Sequence, residues 1–192
     1  MSDIWGSDIK VEAGKQFKLK NGKNKVRIGS KPYVANIHWE DSFDGKKKKV
    51  ICPGIGCPLC NANRKYDPRY YIKIINRDDG QAMILECGPM ILNQIKKYAS
   101  DSDYGNPMNY DISINKTGEG RNSQYSVMAS PNKSPITVEG KALLDAVDIS
   151  SCIDPTPIDD IWAMGLVSLP IDVAQPEESN NFTGDDDWDN VN

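Results

Sequence analysis

One stretch constrains this chain more than any other: His38 to Cys60, reading HWEDSFDGKKKKVICPGIGCPLC. It holds the only histidine and three of the five cysteines, at the spacing His-x13-Cys-x4-Cys-x2-Cys. A structural zinc ion takes four tetrahedral nitrogen or sulfur donors in a closed shell, and His38, Cys52, Cys57 and Cys60 supply that number. Asp44-Gly45 lies between His38 and Cys52, and this pair favours the positive φ angles of a type I′ hairpin turn. With Phe43 and Lys46 flanking the turn, the spacing predicts a hairpin that sets His38 opposite Ile51 and Cys52 opposite Ile37. The knuckle Cys57-Pro58-Leu59-Cys60 then closes on the ion from the other side. Four protein ligands leave no open position to activate water, so the ion is expected to be structural.

Two other readings compete. Cys-x2-Cys is also the spacing of a redox dithiol, which would leave His38 and Cys52 without a role. A disulfide scaffold calls for an oxidising compartment and paired cysteines; the cysteine count is odd and no secretory signal is read at the start.

The net charge of −4 hides a division. Residues 1 to 133 carry a net +8, and residues 134 to 192 a net −12. A basic body suits a polyanion, while an acidic tail suits either the empty binding groove or a basic partner. No apolar run approaches the roughly 18 residues of a membrane span, and a cytoplasmic protein is expected.

Hydrophobic alternation predicts a mainly β fold. Residues 1–14 read as a loose lead-in. Phe17 and Leu19, then Val26 and Ile28, alternate with basic residues around Asn21-Gly22 and predict a hairpin. Pro32 opens a third strand that runs into the zinc hairpin. Strands follow at Tyr70 to Arg77, Gln81 to Cys87, Met108 to Asn115 and Gln124 to Ser130. A helix starts at Gly88-Pro89, where proline suits a first turn. The inventory predicts an antiparallel Greek-key barrel of the OB type over residues 15–133, with residues 38–60 as a zinc-binding insertion. Residues 134–167 read as a short helical extension packed on the barrel, with helices from about Glu139 and from Ile158 to Met164. Residues 168–192 are acidic and proline-punctuated and are expected to be disordered.

A positive groove lined with aromatic rings is what holds unpaired nucleic-acid strands, each stacked base contributing roughly 1–3 kcal/mol. The candidates are Arg27, Lys31, Tyr33 and Trp39, then Tyr71, Lys73 and Arg77, then Tyr110, Lys116, Arg121 and Tyr125. Lys46, Lys47, Lys48 and Lys49, at the tip of the zinc hairpin, are candidate phosphate clamps. Core packing competes for Tyr33 and Trp39, which share a face with Ala35 and Ile37, and a solvated turn competes for the lysine run. No enzyme is expected. With the one histidine assigned to metal, a Ser-His or Cys-His pair is lacking, and there is no Walker-type glycine loop.

These pieces resemble the single-stranded DNA-binding (helix-destabilising) proteins of T-even and related tailed phages. The resemblance rests on His38, Cys52 and Cys57-Pro58-Leu59-Cys60, on the strand Tyr70-Tyr71-Ile72-Lys73-Ile74-Ile75, on the helix that follows, and on the acidic C-terminus. It implies an OB barrel with a zinc subdomain beside the cleft, coating single-stranded DNA during replication, recombination and repair inside an infected cell. It also implies an acidic tail that recruits replication proteins and competes for the cleft, with Asp185, Asp186, Asp187, Trp188 and Asp189 as its partner-binding end. The family's basic N-terminal arm has no counterpart in MSDIWGSDI, which contains no Lys or Arg. The alternative reading is a zinc-containing adaptor of phage transcription or recombination that grips a protein, or RNA, through the zinc hairpin.

Overall fold

The computed structural model describes residues 15–41 and 45–167. The lead-in, the expected turn residue Asp44 and the whole acidic tail from Asp185 to Asp189 lie outside the described residues. In chain order the elements are β1 (Gln16–Phe17), β2 (Gly22–Ile28), β3 (Tyr33–Asp41), β4 (Lys47–Ile51), α1 (Pro58–Asn61), β5 (Asp67–Asn76), β6 (Ala82–Cys87), α2 (Pro89–Ala99), β7 (Tyr110–Thr117), β8 (Gln124–Lys133), α3 (Val138–Asp145), α4 (Ser150–Ile153) and α5 (Ile158–Ala163). The eight strands form one sheet in the order β1-β6-β5-β2-β7-β8, with β3 joined to β5 and β4 to β3. No helix among the described residues is long and apolar enough to cross a membrane.

Strand β5 organises the sheet because it buries apolar side chains on both of its faces, a pattern that suits a strand covered on two sides. Its Ile72 and Ile74 join Val26, Ile28, Leu85, Ile112 and Ile114 in the main core, roofed by Ile91, Leu92 and Ile95 of α2. Its Tyr71 turns the other way, into a second cluster with Ala35, Ile37, Ile84, Val147, Ile149 and Cys152. One edge of β5 pairs with β6, and the other is shared by β3 and β2. At the break between β2 and β3 the ladder is carried by Gly29 N donating to Lys73 O (2.8 Å) and Lys73 N donating to Ser30 Oγ (3.0 Å).

The sheet does not close. α2 lies along the outer edge of β8, where Val127 N donates to Gln94 Oε1 (2.9 Å), Gln94 Nε2 donates to Tyr125 O (3.1 Å) and Tyr98 Oη donates to Val127 O (3.3 Å). Side chains of the helix thus satisfy backbone groups that a closed barrel would pair with a strand.

The expected hairpin of residues 15–28 does not form. β1 instead pairs parallel with β6, Gln16 beside Ile84 and Phe17 beside Leu85. The cause is Asn24, whose amide donates to Lys20 O, Gly22 O and Ile114 O while its Oδ1 accepts from Lys20 N. That one side chain closes the 20–24 turn and occupies the groups a ladder would use.

Residues of the segment after β8, among them Val147, Ile149 and Cys152, pack over the Tyr71 side of the sheet. α3 is capped by Thr137, whose Oγ1 accepts from Gly140 N at 3.1 Å. It presses Leu144 directly onto Gly29, where a Cβ would sit inside the leucine side chain. Gly29→Ala is therefore expected to destabilise the fold by about 1–3 kcal/mol, the range for overpacking a core. Urea unfolding would measure it, and an unchanged midpoint would show that α3 shifts freely.

Candidate metal centre

Strand β3 positions the first donor. His38 is fully buried on the β4-facing half of the strand, opposite Val50, and Cys52 N donates to Asn36 O at 2.8 Å. The hairpin register is one residue away from the two-residue-turn expectation: Ile37 faces Ile51, and the connection spans residues 42–46. A one-residue slip reverses the faces of a strand. The observed register keeps Ile37 and Ile51 together on the core side and brings Cys52 to the same face as His38.

The remaining donors come from the knuckle. Gly54 and Gly56 adopt positive φ of 80° and 77°, a conformation that costs glycine nothing, and so fold the chain back beneath the hairpin. Pro58 starts the single-turn α1, and Asn61 N and Ala62 N donate to Cys57 O and Pro58 O, which aims Cys57 and Cys60 at one point. Beneath them Val50, Cys57, Leu59 and Ile161 form a small separate core.

The four donor atoms lie within 4.8 Å of one another. His38 Nε2 is 3.6 Å from Cys57 Sγ and 3.5 Å from Cys60 Sγ, and Cys52 Sγ is 3.5 Å from Cys60 Sγ. A tetrahedron with metal–sulfur bonds of about 2.3 Å and metal–nitrogen bonds of about 2.0 Å has donor separations of about 3.5–3.8 Å. The residues therefore fit a single bound metal ion. All five cysteines are free thiols.

Support beyond the donors completes the geometry. His38 Nδ1 lies 3.0 Å from Lys65 O; donation to that carbonyl leaves the Nε2 lone pair facing the thiols. Tyr66 sets its ring edge-on to the imidazole at 5.8 Å, and Gly54 N donates to Cys52 Sγ at 3.4 Å. Burial, together with hydrogen bonds to Cys52 and Cys57, pushes the Cys60 thiol up to about 12. The Cys60 thiol so placed resists ionisation unless a cation compensates, and coordination deprotonates a thiol outright. Lys65 carried no sequence signal, because it acts through its backbone carbonyl.

The nucleic-acid candidates divide sharply. Tyr33 and Trp39 are half-exposed, at 40% and 38%, on one face of β3. Lys31, Lys46, Lys47, Lys48 and Arg77 are exposed, while Lys73, Lys116 and Tyr125 are partly covered. Lys47 pairs with Asp41 at 2.9 Å. Arg121 lies in the connection between β7 and β8.

Four candidates are corrected. Tyr71 and Tyr110 are fully buried, Tyr71 under the helical extension and Tyr110 in the main core with its hydroxyl donating to Gly105 O. Burial raises the pKa of both phenols. Arg27 is 3% exposed and is held by Asp111, by Ser134 O and by Ser134 Oγ. Lys49 donates to Tyr71 Oη (2.9 Å) and Glu86 Oε2 (3.1 Å), so it braces three strands. Burial opposes its charge, but those two partners outweigh it and raise its pKa. Cys87 is a buried structural residue, its thiol pushed up to about 12 by burial. Comparison with family models, with curated proteins and with solved structures finds no match for this chain.

Proposed function

We propose that this protein binds single-stranded DNA without sequence preference, that the ion is a structural zinc, and that the chain takes part in phage DNA replication, recombination and repair. It is not an enzyme in this reading, and its acidic tail recruits partner proteins. The observation that carries the reading is the hairpin of β3 and β4. Tyr33 and Trp39 stand half-exposed on one face of β3, beside a β4 strand that brings in exposed lysines 46 to 48. Rings that offer a π-face and cations that meet phosphates are the two parts a sequence-tolerant single-strand site needs. The metal centre at the root of the hairpin holds them in a fixed relation.

The strand order supports an OB-type reading of the body. β6-β5-β2-β7-β8, with α2 inserted between β6 and β7, has the connectivity of a five-stranded Greek-key barrel opened at the helix. Thiolate and imidazole donors at tetrahedral spacing support zinc over harder cations.

Trp39→Ala is expected to weaken binding to oligo-dT about fivefold to a hundredfold, the equivalent of roughly 1–3 kcal/mol for one stacked base. Fluorescence titration at low salt against oligo-dT and matched duplex tests this. Wild-type protein that prefers duplex, or an alanine variant with unaltered affinity, would end the proposal.

One observation favours the adaptor reading instead. Ile55 is completely exposed at the tip of the knuckle, between two glycines. An isolated aliphatic side chain held out by a rigid metal loop suits insertion into a protein partner.

A further inference from the structure

At the far end of β5 from the metal centre, about 30 Å along the strand, a second feature stands apart from the hairpin. The segment Lys15 to Lys20 runs past the turn between β5 and β6, and the two enclose an open cleft of about 510 Å³. Lys15, Lys18 and Lys20 line it and are exposed, and none has an acidic partner among the described residues. Asp78 and Asp79 line the same cleft; the Asp79 carboxylate serves the turn, its Oδ1 accepting from Gln81 N, while Asp78 joins the turn through its backbone N, which donates to Asn76 Oδ1. Asn76 is 7% exposed and lines the cleft, and its Nδ2 donates to no acceptor among the described residues. An amide donor left open to the cleft beside unpaired lysines offers an oxyanion a hydrogen bond together with positive charge.

We infer that this cleft is a phosphate-binding site that takes one phosphodiester of a single-stranded nucleic acid, remote from the hairpin. Three lysines against two carboxylates leave the cleft at about +1, a balance that attracts a phosphate and matches one singly charged phosphodiester. The positive surface also continues past the cleft. Lys23 is exposed and Lys25 half-exposed on the outward face of β2, and Arg77 is exposed next to the turn. Asp111 neutralises part of this set by pairing with Lys25 (3.4 Å) and Arg77 (3.2 Å). A line of cations leading away from a pocket suits a polymer backbone better than a small ligand.

The inference rests on the single-strand reading and adds to it a second anchoring point. The test uses full-length protein, oligo-dT, an abasic oligonucleotide that presents phosphodiesters alone, and the triple variant Lys15→Gln/Lys18→Gln/Lys20→Gln. Each phosphate contact to a single strand contributes about 0.7 to the slope of log affinity against log salt. The triple variant removes that one contact, so it should lose about 0.7 from the slope and bind about fivefold weaker at 0.1 M salt, with an unchanged melting temperature. Titration with the abasic strand should shift the Asn76 side-chain amide resonance. A triple variant that keeps the wild-type slope for oligo-dT would overturn the cleft while leaving the function standing. An abasic strand that moves Asn76 in a protein with no preference for oligo-dT over duplex would do the reverse.

Discussion

Cys57→Ser is expected to remove the bound metal and to destabilise the protein by on the order of 4 kcal/mol or more, among the largest effects any single change here would have. Cys57 is fully buried and touches both the donor set and the small core of Val50, Leu59 and Ile161. A chain of this size loses about 2–4 °C of melting temperature per kcal/mol, so the shift should be about 10 °C. Elemental analysis should fall from one equivalent of metal per chain towards none. A chelator should lower the wild-type melting temperature by a similar amount and leave the variant unmoved. A variant that retains its metal and its melting temperature would show that the cluster is not a site.

Arg27→Ala should come next, at about 3 kcal/mol, the cost of stripping one partner from a buried ion pair. Arg27 meets Asp111 through Nη2 at 2.7 Å and through Nε at 2.8 Å, and its side chain is 4% exposed. Arg77 and Lys25 remain near the carboxylate at 3.2 and 3.4 Å and keep the cost below the top of the usual range. Burial works against ionisation of Asp111, but the hydrogen bond and charge of Arg27, followed by Arg77 and Lys25, hold its pKa below the ordinary carboxylate value. A carboxyl depressed by folding contributes its stability above its unfolded pKa, about 4, and loses it as pH falls through the lower folded value. The gap between wild type and Arg27→Ala should therefore be widest at neutral pH and shrink below about pH 4. Urea melts at pH 7 and at pH 3 measure both ends, and a gap independent of pH would remove Asp111 from the account.

The metal motif was legible because its chemistry is local: four donors in 23 residues leave few other uses, and the structure brings them together. Helix α2 and strands β5 to β8 were legible from apolar periodicity bounded by proline and glycine. What sequence could not supply was the identity of the neighbour across each face. Tyr71 shares a strand face with Lys73 and Arg77 and reads as a groove residue, until Val147 and Ile149, some 75 positions later, cover it. Lys49 belongs to a run of four lysines, yet it alone reaches both Tyr71 and Glu86. The pairing of β1 with β6 was hidden because Asn24, a polar residue inside a predicted strand, gives no sign that its amide will close a turn.

The last described helix returns to an early part of the chain. Thr156 exchanges bonds with Ile51, its Oγ1 accepting at 3.0 Å and its N donating to Ile51 O at 2.9 Å, and Ile161 then seats among Val50, Cys57 and Leu59. Leu166 and Val167 pack on the same cluster. The polypeptide thus forms a buckle whose tongue is α5 and whose frame is the coordination sphere. Because Ile161 packs against Cys57, an ion bound at the four donors would be coupled to the seating of α5, each strengthening the other by the same factor. The described residues end in this buckle, at Val167, so a change that unseats α5 should also weaken ion uptake at the four donors.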